Sequence, residues 1–263
     1  MSTITAEPIA LSTLEFDVLW EHLGLGRMPL VLKVPSPGRS YGERAALVDD
    51  VWRRLTLRGL RGPDGLNPHL ERTLRLLANP ERAIDGRLWI RLRSVRLLVA
   101  ASGREAAMAV LADGQLSVRE AAASGLAREA LSVLPAGPAG PGASVTLPSV
   151  DLEVAAADAQ SPEEFEHRLL SRGVRAADAA ALRVMVTRAR RQGQFGASAR
   201  DHRGRRVRAP RVVSFFDSPK GRYLQLRRSE PGGEPWSTIA PADYRLLAAE
   251  LTELVDEAVS AAG

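Results

Sequence analysis

The alternation of apolar and polar positions divides the chain into helix-like and strand-like segments. Apolar residues recur at helical spacing in a series of stretches, which predicts helices over residues 13–23, 42–58, 67–78, 123–134, 161–171, 176–192 and 241–259. Asn67-Pro68 and Ser161-Pro162 are typical helix starts, because a polar cap precedes a proline that fits the first turn. The chain is therefore predicted to contain helices in both halves.

Other stretches alternate with a period of two and predict strands. These are residues 4–12, 30–34, 85–93, 94–103, 104–114, 115–120, 194–201, 206–217, 222–228 and 236–240. Short turn sequences such as Asp113-Gly114, Arg203-Gly204 and Ser218–Gly221 separate consecutive strands. Tight turns join antiparallel strands and cannot join parallel ones, so the sheet is predicted to be mostly antiparallel.

The order of the elements repeats. Each half contains helices, then a meander of strands, then a helix, and the segment 135–148, rich in Pro, Gly and Ala, separates the halves as a linker. We therefore predict an α+β fold with a central, mostly antiparallel sheet flanked by helical bundles. Residues 1–263 are predicted to form a single domain with pseudo-symmetric halves at about 1–148 and 149–263.

The composition excludes several kinds of site and favours a folded protein outside the membrane. Its 263 residues are 45% hydrophobic and 25% charged, which is typical of a folded protein, and it has no cysteine. Disulfides, zinc–thiolate sites and thiol catalysis are thereby excluded. No apolar stretch is long enough to span a membrane, and the N-terminal residues lack the pattern of a signal peptide. We expect a cytoplasmic protein without membrane insertion.

Candidate catalytic and metal-binding motifs are weak. The four histidines lie far apart, and the Gly-x-Gly at residues 24–26 is not followed by a phosphate-loop sequence. No combination of nucleophile, base and oxyanion donors is recognisable. We therefore predict no enzyme activity, no cofactor and no metal, and an enzyme of unrecognised type is the third of three hypotheses.

A run of arginines at residues 200–211 raises the question of nucleic-acid binding, because the net charge is +5. Strand-like segments flank the Arg203-Gly204 turn, so the run is also explained as the charged tip of a hairpin, where charge prevents sheet edges from pairing. No recognition helix or ladder of stacking aromatics lies beside it. A nucleic-acid-binding regulator that uses the hairpin 200–211 is thus the alternative function, and nucleic acid is the less favoured partner.

The chain resembles the EspG family, the cytosolic chaperones associated with ESX (type VII) secretion in actinobacteria. The resemblance runs in order along most of the chain, through "MPLVLKVPSPGRSYGERAAL" at 28–47, "RGL" at 58–60, "LERTLRLLANPERAIDGRL" at 70–88, "LPAGPAGPGASVTLP" at 134–148, "GQFGASARDHRGRRVRAP" at 193–210, "SFFDSPKGRYL" at 214–224 and "WSTIAPAD" at 236–243. It implies a quasi-twofold α+β fold and a chaperone that shields the apolar helical tip of a PPE-like protein in a PE–PPE heterodimer. Components of the secretion machinery are a second implied partner.

The resemblance also implies where a partner binds, namely at the central sheet, at a strand-connecting loop of the first half and at the C-terminal helical region. The loop that matches best consists of Ala101, Ser102, Gly103, Arg104 and Glu105. The sheet and helix candidates are Phe195, Phe215, Tyr223, Leu224, Leu226, Trp236 and Leu247. Core packing is the competing explanation for each apolar residue in this set, and a hairpin turn is the competing explanation for Gly103.

Overall fold

The computed structural model describes residues 7–90, 92–229 and 233–263. Its α-helices are α1 (Thr13–His22), α2 (Tyr41–Leu57), α3 (Pro68–Ala78), α4 (Leu126–Leu131), α5 (Ser149–Ala157), α6 (Pro162–Ser171), α7 (Ala176–Val186) and α8 (Tyr244–Ala262). Local caps explain several helix starts. Ser40 and Glu43 form a reciprocal capping box at α2, and the Asn67 side chain accepts from the His69 and Leu70 amides at α3.

The strands form one large antiparallel sheet and one small hairpin. The sheet contains β1 (Ile9–Ser12), β4 (Arg82–Ile90), β5 (Arg93–Ser102), β6 (Glu105–Ala112), β7 (Gln115–Ala122), β8 (Val145–Pro148), β9 (Arg191–Arg200), β10 (Arg206–Arg208), β11 (Val213–Ser218), β12 (Gly221–Arg228) and β13 (Trp236–Pro241). The hairpin pairs β2 (Arg61–Gly62) with β3 (Gly65–Leu66). The predicted α+β class and the antiparallel sheet are confirmed.

The pairing of β4 with β9 joins the two halves of the chain at the centre of the sheet. From that centre the order is β5, β6, β7 and β1 on one side, and β11, β12, β13 and β8 on the other, while β10 pairs with β9 off this path. The two edge strands are thus β1, near the start of the chain, and β8, which ends at the predicted boundary between the halves. The quasi-twofold relation between the halves stays a prediction.

Hydrophobic cores lie on both faces of the sheet. On one face α4 and α8 pack against the centre, with Leu131 and Leu251 among the buried residues. On the other face α1–α3 cover the strands of the first half, with Phe16 and Leu74 in that core. The helices α5–α7 cover the outer strands of the second half. The two groups of helices on this second face leave the middle of the sheet between them uncovered.

The helix predicted over 176–192 is too long, since α7 ends at Val186 and β9 begins at Arg191. The residues after α7 lack apolar side chains to bury in a helix, and the chain instead enters the sheet. The Arg190 amide donates to the Asp217 carbonyl at 2.8 Å. Sheet pairing therefore outweighs the weak helical pattern of this segment.

The strand predicted over 206–217 is divided into β10 and β11. Pro210 lies in the break and has no N–H to donate to a sheet ladder. The next residue, Arg211, turns its side chain onto α8, where it pairs with Glu250 at 3.1 Å and Glu257 at 2.8 Å. The segment thus leaves the sheet to contact the helix that covers it.

The predicted linker 135–148 contains β8 at its end, and α5 follows without having been predicted. The Pro/Gly part is fixed against β12: the Gly140 amide donates to the Arg222 carbonyl at 3.0 Å, and the Tyr223 hydroxyl donates to the Pro141 carbonyl at 3.1 Å. Segments without periodicity are held here by contacts that only the folded chain creates.

Smaller differences concern element boundaries. Residues Leu30–Leu32 form a 3-10 helix instead of an extended segment, and a second 3-10 turn, Ala123–Gly125, replaces the start of the helix predicted over 123–134. The last helix begins at Tyr244, because the Asp243 side chain caps it. The first strand is β1, and residues 4–6 of the predicted strand 4–12 lie outside the described residues.

Candidate functional site

An open groove of about 960 Å³ occupies the uncovered middle of the sheet. Its floor is formed by β5, β4, β9, β11 and β12, and one wall by α5, α6 and the segment after α7. The floor exists because the strands bury their alternate residues under α8, so that the other side chains point to the second face. The volume is large enough to receive several side chains of a partner.

Polar residues form a row across the floor of the groove. In the strand register Arg96 lies opposite Arg87, Arg87 opposite Gln194, Gln194 opposite Ser214, and Ser214 opposite Gln225. Directly paired residues present their side chains to the same face of a sheet. All five residues line the groove, which can therefore hydrogen-bond a partner along its whole width.

Apolar side chains complete the lining of the groove. Trp89 is 46% exposed at one end of the floor, and Phe216, Leu152 and Ile239 lie on the side of the second half. Beyond Trp89, at the β4–β5 turn, Leu92 is 84% exposed with a left-handed φ of 65°. Leu92 itself is not among the residues that line the groove.

The arginine-rich hairpin lies at the far end of β9 and is organised by its own acid. The carboxylate of Asp201 accepts from the amides of Arg203 and Arg205 at 2.9 and 2.8 Å, and from Arg205 Nε at 2.8 Å. The backbone hydrogen bond from Arg205 is the main cause that lowers the pKa of Asp201. The acid thus compensates part of the charge of the hairpin.

Other arginines of the run are directed to the protein itself. Arg208 makes a bidentate contact with Asp85 at 2.8 and 3.3 Å, and Arg206 Nε donates to Ser198 Oγ at 2.7 Å. Burial is the largest cause that lowers the pKa of Arg206. With Arg211 bound to α8, these side chains do not form a free phosphate-binding surface.

A metal centre and a membrane span find no counterpart in the residues that the structure describes. Within residues 7–90, 92–229 and 233–263, the structure contains no group of three or more His, Asp or Glu side chains that could hold a metal ion. None of the helices in the same ranges combines the length and the apolar composition that crossing a bilayer requires.

The family model of the EspG family matches residues 12–253. The chain belongs to the EspG family. A similar solved structure is that of the type VII secretion system chaperone EspG5 of Mycobacterium tuberculosis in complex with a PE25–PPE41 dimer, with a TM-score of 0.75 and 17% identity over 95% of this chain and 96% of that chain. At this identity the likeness shows a shared fold. No curated protein sequence matches the chain.

Membership of the EspG family implies a role without catalysis. The alternative function, a nucleic-acid-binding regulator, receives no support from the family match or from the structural likeness. Both findings agree with the sequence resemblance on which the prediction of a chaperone was based.

Most of the partner-binding residues predicted from the EspG resemblance are buried. The structure places them in the cores on either face, with exposed fractions of 0% for Ala101, Phe195, Tyr223 and Leu247, 2% for Phe215 and Leu224, and 7% for Leu226. A partner cannot touch these side chains while the sheet stays intact. Trp236, which is 49% exposed beside the edge strand β8, is the accessible member of the sheet set.

The predicted loop at residues 101–105 joins β5 to β6 at the end of the sheet away from the groove. Gly103 has a left-handed φ of 54°, as this hairpin turn requires, and its amide donates to Glu81 Oε2 at 2.8 Å. Arg104 and Glu105 are exposed, but neither lines the groove. The first-half turn that borders the groove is instead the one between β4 and β5.

The groove residues were missed by sequence reasoning, although a signal was present. Gln192 and Gln194 alternate with core residues such as Phe195, and Ser214 alternates with Phe215. A central strand with helices on both sides of the sheet is expected to bury the side chains of both its faces. Polar residues at alternate positions of such a strand therefore indicate that one face is uncovered. Only the positions of the helices show which strands keep that face open.

Proposed function

We propose that this EspG-family chain is a cytoplasmic secretion chaperone that binds the apolar helical tip of a PPE-like protein in a PE–PPE heterodimer. It keeps the heterodimer soluble until delivery to an ESX (type VII) secretion system. The observation that carries the proposal is the groove on the open sheet face, in a chain of this family. The solved relative in complex with a PE25–PPE41 dimer supports it.

The groove has the chemistry that such a partner needs. The tip of a helical bundle presents apolar side chains together with the unpaired backbone groups of its loops. Trp89 and Phe216 offer apolar surface to these side chains, while Gln194 and Gln225 offer donors and acceptors to the backbone groups. Covering an apolar tip in this way removes a surface that otherwise promotes aggregation.

We further propose that the two halves of the chain act as one domain without cofactor or catalysis. The sheet that continues through β4 and β9 supports this, because the groove floor consists of strands from both halves. The family resemblance also supports the cytoplasmic location and a second contact with secretion machinery. Residues 102–105 and Trp236 remain candidates for that second contact, because they are accessible and lie outside the groove, whereas Ala101 of the predicted loop is buried.

Blocking the groove tests the proposal. Ser214 lies at the centre of the floor, and Ser214→Trp would fill it, whereas Ser260→Trp puts the same side chain on an exposed site of α8 at the opposite face. Each variant is co-expressed with PE–PPE heterodimers of the same genome and measured by size-exclusion chromatography with light scattering.

The wild-type chain and Ser260→Trp are expected to form a stoichiometric ternary complex. Ser214→Trp is expected to lose the complex while it keeps the far-ultraviolet circular dichroism spectrum of the wild type. Equal complex formation by both tryptophan variants contradicts the groove as the binding site. Absence of any complex with the wild-type chain contradicts the proposed function itself.

A further inference from the structure

Two arginines face each other on the groove floor, and none of the described carboxylates pairs with them. Arg87 of β4 is paired directly with Arg96 of β5, and both side chains line the groove. Like charges directly opposite each other destabilise a sheet. Arg96 donates to the carbonyl oxygen of Lys33 at 3.1 Å, a neutral acceptor, and Arg87 is exposed without an ion pair within the described ranges of the chain.

The acid two residues away on the same strand and the acid that lines the groove both pair with other residues. Asp85, two residues before Arg87 on the same strand, is held by the bidentate contact with Arg208. Glu153, the one acidic residue among the described residues that line the groove, pairs with Arg227. Among residues 7–90, 92–229 and 233–263, no carboxylate therefore forms an ion pair with either arginine.

A third arginine increases the positive charge of the groove from the opposite side. Arg188 lines the wall after α7, is exposed, and has a left-handed φ of 55°. Non-glycine residues rarely adopt this conformation, and such strain persists where the surrounding structure requires it. Between the arginines, Gln194, Ser214 and Gln225 are neutral, so the groove as a whole is basic.

We propose that the groove selects a partner whose helical tip carries a carboxylate side chain, seated between Arg87 and Arg96. This inference rests on the proposed function and adds to it the charge that the tip must have. An aspartate or glutamate there accepts charge-assisted hydrogen bonds from both guanidinium groups and removes their mutual repulsion. The apolar surface of Trp89 then excludes water from the contact, and heterodimers with a neutral or basic tip are rejected.

The first test measures binding of the heterodimer obtained by co-expression, by fluorescence anisotropy over a series of salt concentrations. Arg87→Gln is expected to weaken binding by about tenfold to a hundredfold, the range for a buried charge-assisted hydrogen bond, and to reduce its salt dependence. Arg245→Gln is the matched control, because Arg245 is exposed on α8 at the other face of the sheet. Equal affinities of the two variants overturn the proposal.

A charge exchange makes the test specific. Arg87→Glu is expected to lose binding, and a lysine in place of the acidic residue at the partner's tip is expected to restore it. Such rescue identifies a direct pair, which a merely structural effect does not imitate. If no acidic residue of the tip rescues Arg87→Glu, the proposal is wrong.

The second test does not depend on a PE–PPE protein. Two disulfide-closed helical hairpin peptides are compared, one with glutamates and one with glutamines at the turn and otherwise identical. The wild-type chain is expected to retain the glutamate hairpin more strongly, and Arg87→Glu to reverse the preference. Equal retention of both peptides overturns the proposal. A clear preference for the glutamate hairpin, together with failure of every PE–PPE heterodimer to bind, overturns only the proposed function.

The unbound protein provides a third measurement. If the two arginines serve binding and not stability, replacing Arg87 removes the repulsion between their charges. Arg87→Gln is therefore expected to melt at a higher temperature than the wild type at low salt. The difference should shrink as salt is added, because ions screen the repulsion. A lower melting temperature would show that the arginine stabilises the fold and would overturn the binding explanation.

Discussion

A buried ion pair in the second half provides a sharp prediction about stability. Arg222 is 2% exposed, and its guanidinium donates to Asp217 Oδ1 at 2.7 Å and Oδ2 at 3.0 Å. The same group donates to the carbonyl oxygen of Pro135 at 2.9 Å, so the pair also holds the linker between the halves. The perturbation is Asp217→Ala, which leaves the arginine buried without its carboxylate.

The expected magnitude follows from the burial. Removing one partner of a buried pair costs about 3–5 kcal/mol, because the remaining charge is uncompensated. The Pro135 carbonyl remains as an acceptor for the Arg222 guanidinium. The free energy of unfolding that Asp217→Ala loses should therefore lie near the lower end of this range, at about 3 kcal/mol. The double variant Asp217→Ala/Arg222→Met removes both charges of the buried pair and leaves without its carboxylate only the partly exposed Arg191, which also pairs with Asp217 at 3.1 Å, so it is expected to be more stable than Asp217→Ala alone.

Denaturant unfolding, followed by circular dichroism, measures the free energy of unfolding of the wild type, both single variants and the double variant. The control is Glu71→Ala, which breaks the exposed i,i+4 pair with Arg75 on α3 and should cost less than about 1 kcal/mol. The reasoning is refuted if Asp217→Ala costs no more than Glu71→Ala, or if the double variant is as unstable as the sum of the single variants.

Three further predictions concern the turns and the linker. A Cβ at Gly140 would lie 2.0 Å from Cζ of the buried Tyr223, so Gly140→Ala is expected to lower the free energy of unfolding by about 1–3 kcal/mol; an unchanged denaturation midpoint would contradict the close packing. Leu92→Gly relieves a left-handed backbone, with φ 65°, at an exposed site, and its net gain of about 0.5 kcal/mol should appear as a higher melting temperature. The lowered pKa of Asp201 means that its ionised form is favoured in the folded state. The wild type should therefore be more stable than Asp201→Asn, and this difference should be fully present above about pH 4, the usual aspartate pKa. It should disappear as the pH falls through the lower pKa of the folded state. A difference in melting temperature that stays constant across this pH range would contradict the argument.

Much of the local structure was predictable because its causes lie within a few residues. Ser40 with Glu43, Asn67 with Pro68, and Ser161 with Pro162 start helices by side-chain caps that need no tertiary contact. The hairpin turns at Gly103 and Asp113-Gly114 follow equally from local backbone preferences, since these residues have positive φ in the structure. The same patterns, joined in order, were sufficient for the α+β class.

The errors occurred where distant parts of the chain compete. The segment after α7 enters the sheet because β4 and β11 offer hydrogen-bonding partners to β9, and no local pattern at residues 187–192 contains that information. Arg211 leaves the strand to reach three glutamates of α8, and the linker is fixed by Arg222. Such contacts join residues far apart in sequence.

The candidate site shows the same division. The sequence alone determined the helix caps, the hairpins, the class of the fold and, through its resemblance blocks, the family. It also placed Phe195, Phe215 and Leu224 correctly on strands, but their periodicity could not distinguish a core face from a contact face. Only the tertiary structure decided that these side chains lie under α8 and that the polar row from Arg96 to Gln225 lies open. The physical reason is that alternation along a strand separates its two faces, while the packing of remote helices determines which face remains exposed to a partner.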